Sequence, residues 1–129
     1  MPNKVEFSGH FLTVFSTLSD EEQELIKQFV YYFEDHGLKT FKGKKGPTDN
    51  VPTNDPKRAE KIAYAKRFHL WHVHIGYPRW NENRNILVPY KTSNYVVHFQ
   101  KFSESYIALV DYNSHNPMGM PPKTSLFRR

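Results

Sequence analysis

At 129 residues the chain has the length of one domain and can bury about two-thirds of the surface its unfolded form exposes. Its 38% hydrophobic and 16% aromatic content, with negative mean hydropathy, describes a folded protein with a wet surface rather than a disordered tail. The absence of cysteine excludes a disulfide framework and thiolate zinc sites, and it fits a reducing compartment. No stretch approaches membrane-span length and the first residues lack a secretory leader pattern, so a cytoplasmic protein with no membrane partner is expected.

The net charge of +5 is unevenly spread. Residues 1–40 carry three Lys/Arg against seven acids, a balance of −4, whereas residues 41–129 carry fifteen against six, a balance of +9. A basic majority joined to an acidic helix points to a polyanionic partner on one side of the domain.

In chain order, residues 4–15 alternate enough to predict an N-terminal strand with Val5, Phe7 and Phe15 inward. Ser19 and Glu22 have the spacing of a capping box, and Asp20, Glu21 and Glu22 suit the positive end of a helix. Leu25, Ile26, Phe29, Val30 and Phe33 recur at helical spacing and Gly37 is a stop, which predicts a helix over 19–36 with a core-facing stripe. Residues 40–58 are a Pro- and Gly-rich basic loop, long for a compact domain and therefore expected to be mobile or functional. A short helix over 57–66 follows, then strands over 67–76, 94–102 and 105–112, the last two joined by a tight turn at Ser103-Glu104. The tail from 113 to 129 is proline-rich and irregular. This is an α+β pattern: one domain over 1–129, an antiparallel sheet with the N-terminal helix packed on one face.

The densest chemistry is His69-Leu-Trp-His72-Val-His74. On a strand, His72 and His74 point together, while His69 points the other way with Trp71, Val73 and Ile75. If the latter set faces the helix, His72 and His74 look toward solvent or a cleft. Such a pair serves either as proton donors and acceptors near neutral pH or as two metal ligands. A metal would need a third ligand, from His98, His115 or Asp111. His98, mid-strand, is expected to pack or hydrogen-bond rather than catalyse, and His115 lies just past a strand end, where chemistry often sits.

Lys42, Lys44 and Lys45 open the long loop, and Arg79, Arg84, Lys91 and Thr92 form a possible phosphate-contact group. Tyr77, Trp80, Tyr90 and Tyr95 offer rings on which unstacked bases could lie. Signatures for nucleotide triphosphates, dinucleotides and the hydrolase elbow are absent.

His-Val-His-Ile at 72–75, Tyr-Lys-Thr-Ser-Asn at 90–94 ahead of Tyr-Val-Val-His, and Tyr-Ile-Ala-Leu-Val at 106–110 before His115 resemble the YafO family. These are ribosome-associated mRNA interferases within the RelE/ParE-like toxins. The acidic helix and Phe-Lys-Gly at 41–43 fit in order, and Asp111-Tyr112 with His115 looks like a strand-end motif of RelE-like toxins. Lys91 stands where an arginine is expected, keeping the charge but losing the bidentate fork. The resemblance implies a RelE-like domain, cleavage of mRNA by its own 2′-OH without a cofactor, and mRNA, the ribosome and a cognate antitoxin protein as partners. On that reading His72, His74, Lys91 and His115 are the catalytic set, and Lys42, Lys44, Lys45, Arg79, Arg84, Tyr90 and Thr92 contact RNA. Two alternatives stay open: a non-catalytic ParE-like toxin that poisons a protein target, and a metal-dependent hydrolase built on His72 and His74.

Overall fold

A computed structural model describes residues 3–48, 51, 53–81, 91–114 and 120–127. Its elements in order are β1 (Lys4–Phe7), α1 (Gly9–Thr17), α2 (Asp20–His36), β2 (Lys45–Pro47), α3 (Arg58–Arg67), β3 (Leu70–His74), β4 (Tyr95–Ser103) and β5 (Tyr106–Ser114), with a single 3-10 turn at Lys123–Ser125. The strands form one five-stranded sheet in the order β1-β5-β4-β3-β2.

The α+β class holds, but the sheet is mixed rather than antiparallel. β1 lies parallel to β5, with Val5 opposite Ile107, while the other pairs are antiparallel. The expected strand over 4–15 also stops at Phe7, because Ser8 caps a helix there by accepting from the Phe11 N–H at 3.1 Å. Phe11, Val14, Phe15 and Leu18 then fall at helical spacing and pack on the core, and Phe7, expected inward, is exposed.

α2 begins with the expected capping box. The Ser19 hydroxyl accepts from the Glu22 N–H, and the Glu22 carboxylate accepts from the Ser19 N–H, both at 3.2 Å. Ser19→Ala should therefore cost about 1 kcal/mol in chemical denaturation, with the fold unchanged by circular dichroism. Ile26, Phe29 and Phe33 of α2 meet Val73, Val97, Phe99, Ile107 and Leu109 of the sheet, and Phe29 and Phe99 lie 6.1 Å apart. Tyr112 closes this layer; burial first, and then the Glu22 carboxylate, push its phenol far above the usual tyrosine range.

The opposite face of the sheet carries Leu70, His72 and His74 on β3 and Val96, His98 and Gln100 on β4. It is not left open. α3 packs beside β3, and residues 120–127 fold back over it. The Tyr64 hydroxyl donates to the Pro121 carbonyl at 2.7 Å, and the Gln100 amide joins both sides, donating to the Phe68 carbonyl and accepting from the Phe127 N–H. Ser125, in the irregular tail, is 1% exposed. The protein is thus three layers deep, with an apolar core on one side of the sheet and, on the other, a buried layer that mixes His74, His98 and Gln100 with Leu70 and Val96.

Among the described residues no helix is long and apolar enough to cross a membrane.

Candidate functional site

The site is built at the β2, β3 and β4 end of the sheet. Alternation along β3 puts Trp71 and Val73 against α2 and places His72 and His74 together on the other face, with ring centroids 6.3 Å apart. The antiparallel register sets His98 directly opposite His72, also at 6.3 Å, where it is buried and hydrogen-bonded as its mid-strand position predicts. These side chains do not look out on open solvent, because α3 and the tail cover much of this face. His72 is half-buried, His74 is 3% exposed and His98 is 0% exposed.

Buried imidazoles must be hydrogen-bonded, and each has a partner that local sequence did not reveal. His72 Nδ1 lies 3.1 Å from the Thr48 hydroxyl, brought in by the antiparallel pairing of β2 with β3. His98 Nε2 lies 2.9 Å from Asn113 Oδ1 on β5. His74 Nδ1 sits in a clamp formed by Ser93, 3.0 Å from its N–H and 2.8 Å from its carbonyl oxygen. One ring nitrogen serves one of these at a time: it accepts from the N–H in one tautomer and donates to the carbonyl in the other, without moving the ring. Ser93 is fixed in turn, its hydroxyl accepting from the Gly76 N–H and donating to the Tyr95 carbonyl.

The basic loop is threaded into the sheet edge rather than hanging free. Lys44 donates its N–H to the Lys91 carbonyl, Lys91 donates to the Lys42 carbonyl, and His74 donates to the Lys44 carbonyl, at 2.7, 2.9 and 2.9 Å. This ladder brings the backbones of Lys42, Lys44 and Lys91, all exposed, side by side at the end of β3, with Lys44 bonded to His74 and Lys91 opposite Gly43. Lys42 Nζ also stands 5.4 Å over the Trp80 ring. Arg79 is exposed, and Thr92 is half-buried and tied to Asn81 through side chain and backbone.

Lys45 is placed differently from the other two lysines of the loop. Register turns it with Val73 toward the α2 side, where its ammonium donates to the Lys39 and Phe41 carbonyls at 2.9 and 3.0 Å. Desolvation holds its pKa below the usual lysine value. It secures the segment after α2 to the sheet and does not join Lys42, Lys44 and Lys91 at the surface. His69 precedes β3 with φ of 57°, exposed and apart from the other imidazoles. Arg84, Tyr90 and His115 lie outside the described residues.

Among the described residues no three His, Asp or Glu side chains are grouped so as to hold a metal ion. The arrangement offers an imidazole cluster able to move protons, beside exposed cations and an indole able to hold a negatively charged, ring-bearing ligand. No protein family, curated protein or solved structure matches the chain.

Proposed function

We propose that this protein is a cytoplasmic endoribonuclease of the type II toxin class, cutting mRNA on the translating ribosome by attack of the RNA's own 2′-OH. One observation carries this reading: backbone hydrogen bonds bring the exposed loop lysines Lys42 and Lys44 and the distant Lys91 together at the sheet edge next to His74, whose ring lies 6.3 Å from that of His72. Chain cleavage of RNA needs a base near the 2′-OH, an acid for the leaving 5′ oxygen and cations for the charge on phosphorus. His72, the most accessible of the three clustered imidazoles, takes a proton-transfer role. Lys42, Lys44, Lys91 and Arg79 hold phosphates, and Trp80 offers a stacking face. His74, clamped by Ser93, acts as a support for the site. The resemblance to YafO-type toxins agrees with this reading and adds a cognate antitoxin as partner.

The test is cleavage of mRNA in a reconstituted translation reaction, with and without ribosomes. Fragments with 2′,3′-cyclic phosphate and 5′-OH ends are expected; intact mRNA at stoichiometric protein contradicts the reading. RNA affinity should fall uniformly across sequences in the Lys42→Ala, Lys44→Ala and Lys91→Ala variants. Each lost phosphate contact should reduce the slope of log K against log salt by about 0.7 for a single strand. An unchanged slope would remove these lysines from the RNA path.

The burial of His74 and His98 favours one other reading, a toxin that binds and poisons a protein target, since a binder needs no access to them. Intact mRNA with DNA damage on expression would select it.

A further inference from the structure

Sequence patterning draws attention to the histidines of β3, but the structure holds another imidazole in a more accessible setting. At the level of His72 a row of polar side chains crosses the sheet. Thr48 bonds His72, His72 faces His98 in the β3–β4 register, and His98 faces Asp111 in the β4–β5 register. The row ends on α1, where His10 Nε2 lies 3.4 Å from Asp111 Oδ1. We propose that His10 is a further catalytic residue, a general base oriented by Asp111. The choice of an RNA strand as its substrate rests on the function proposed above.

Three features make the pair a fixed arrangement. A β-bulge between His98 and Phe99 leaves Val110 as the extra residue of β5, and such bulges re-aim the side chains around them. Asp111 is mostly buried, its side chain 16% exposed, and its Oδ1 accepts from the Tyr112 N–H at 2.9 Å. The first turn of α1 is pinned to the same stretch of β5. Ser8 donates its N–H to the Leu109 carbonyl at 3.0 Å, and its hydroxyl lies 3.5 Å from the Val110 carbonyl. Thus Ser8 to His10 and Leu109 to Asp111 move as one unit.

The site is also reachable. The His10 side chain is 40% exposed, and a Cβ added at the adjacent Gly9 would meet nothing within 4 Å. A carboxylate beside Nε2 favours the tautomer with the proton on Nε2, which leaves the Nδ1 lone pair as the base. In the reaction, Nδ1 takes the proton of a ribose 2′-OH and the 2′ oxygen bonds to the adjacent phosphorus. The bond from phosphorus to the 5′ oxygen breaks, and that oxygen takes a proton from His72, the proton-transfer residue proposed above, which regains it from solvent. The products are a 2′,3′-cyclic phosphate and a 5′-OH, and the proton on His10 then returns to solvent. Asp111, which orients His10, lies on β5, three inter-strand steps from β2, roughly 14 Å, and Lys44 leads directly into β2. A substrate that uses both His10 and Lys44 is a strand of several nucleotides, not a mononucleotide.

The test compares wild type, His10→Ala, His10→Gln, Asp111→Asn and Asp111→Glu on a labelled single-stranded RNA and on translated mRNA. His10 is exposed, so its variants should fold and unfold with the wild type. Both are expected to lose about a hundredfold in kcat with KM unchanged, at the lower end of general-base effects because the pair is loosely spaced. Added imidazole should restore part of the rate to His10→Ala, a response that a structural role would not give. Asp111→Asn should lose about tenfold, and Asp111→Glu should recover much of it. Wild-type cutting that survives unchanged in His10→Ala and Asp111→Asn overturns this assignment and leaves the RNA reading standing. A wild type that cuts neither RNA overturns both.

Discussion

Replacing Gly43 by alanine is expected to destabilise the protein by about 3 kcal/mol, lowering its midpoint of thermal unfolding by roughly 10 °C. A Cβ at this position would stand 1.9 Å from the His74 carbonyl oxygen and 2.8 Å from the Phe41 ring. The nearest atom is backbone at the end of β3, held in the sheet, so it cannot swing aside, and the segment carrying residue 43 must move off β3. That movement strains the ladder from His74 through Lys44 to Lys91, whose hydrogen bonds are worth about 1 kcal/mol each. It would also pull these lysines away from the imidazoles, so RNA affinity should fall with stability. Gly46 is the control. It lies three residues on, in the edge strand β2, a Cβ there meets nothing within 4 Å, and Gly46→Ala should stay within about 0.5 kcal/mol of wild type in chemical denaturation. Equal effects at the two glycines would mean that this edge is not packed as described.

His72→Ala carries the largest expected effect on activity, a loss of 10²- to 10⁴-fold in RNA cleavage. Its ring is half-buried, with Thr48 on one side and His74 and His98 at 6.3 Å, so it is both held in place and partly reachable. The comparison that gives the result meaning is His74→Ala. Removing a ring that is 3% exposed leaves the Ser93 N–H and carbonyl without their imidazole partner and opens a cavity beside Gly76. Such a change should destabilise by several kcal/mol. Activity lost in His72→Ala at wild-type stability, against activity and stability lost together in His74→Ala, separates the proton-transfer residue from its support. Full activity in His72→Ala would remove His72 from the chemistry.

Much of this was legible in the residues themselves. Ser19 and Glu22 announce the start of α2, and the stripe through Ile26, Phe29 and Phe33 announces what it buries. Strict alternation in β3 correctly put His72 and His74 on one face. The N-terminal segment is ambiguous in sequence because Phe7, Phe11 and Phe15 fit both an alternating and a helical spacing, and Ser8 decides between them only through its hydrogen bond to Phe11. The parallel pairing of β1 with β5 joins segments a hundred residues apart and leaves no local mark. Nor does the sequence show that α3 and the tail cover the histidine face, which depends on Gln100 reaching Phe68 and Phe127. Lys45 looks like its neighbours Lys42 and Lys44 until strand register turns it to the other side. His10 carried no signal, since its partner Asp111 is brought to it only by the docking of α1 on β5.

The most direct measurement of the central claim is transcriptome-wide mapping of new mRNA 5′ ends after brief induced expression, run beside the His72→Ala variant. New 5′-OH ends are expected within translated frames, present with the wild-type protein and strongly reduced with the variant. Unchanged mRNA ends during growth arrest, or ends equally abundant with His72→Ala, would contradict it.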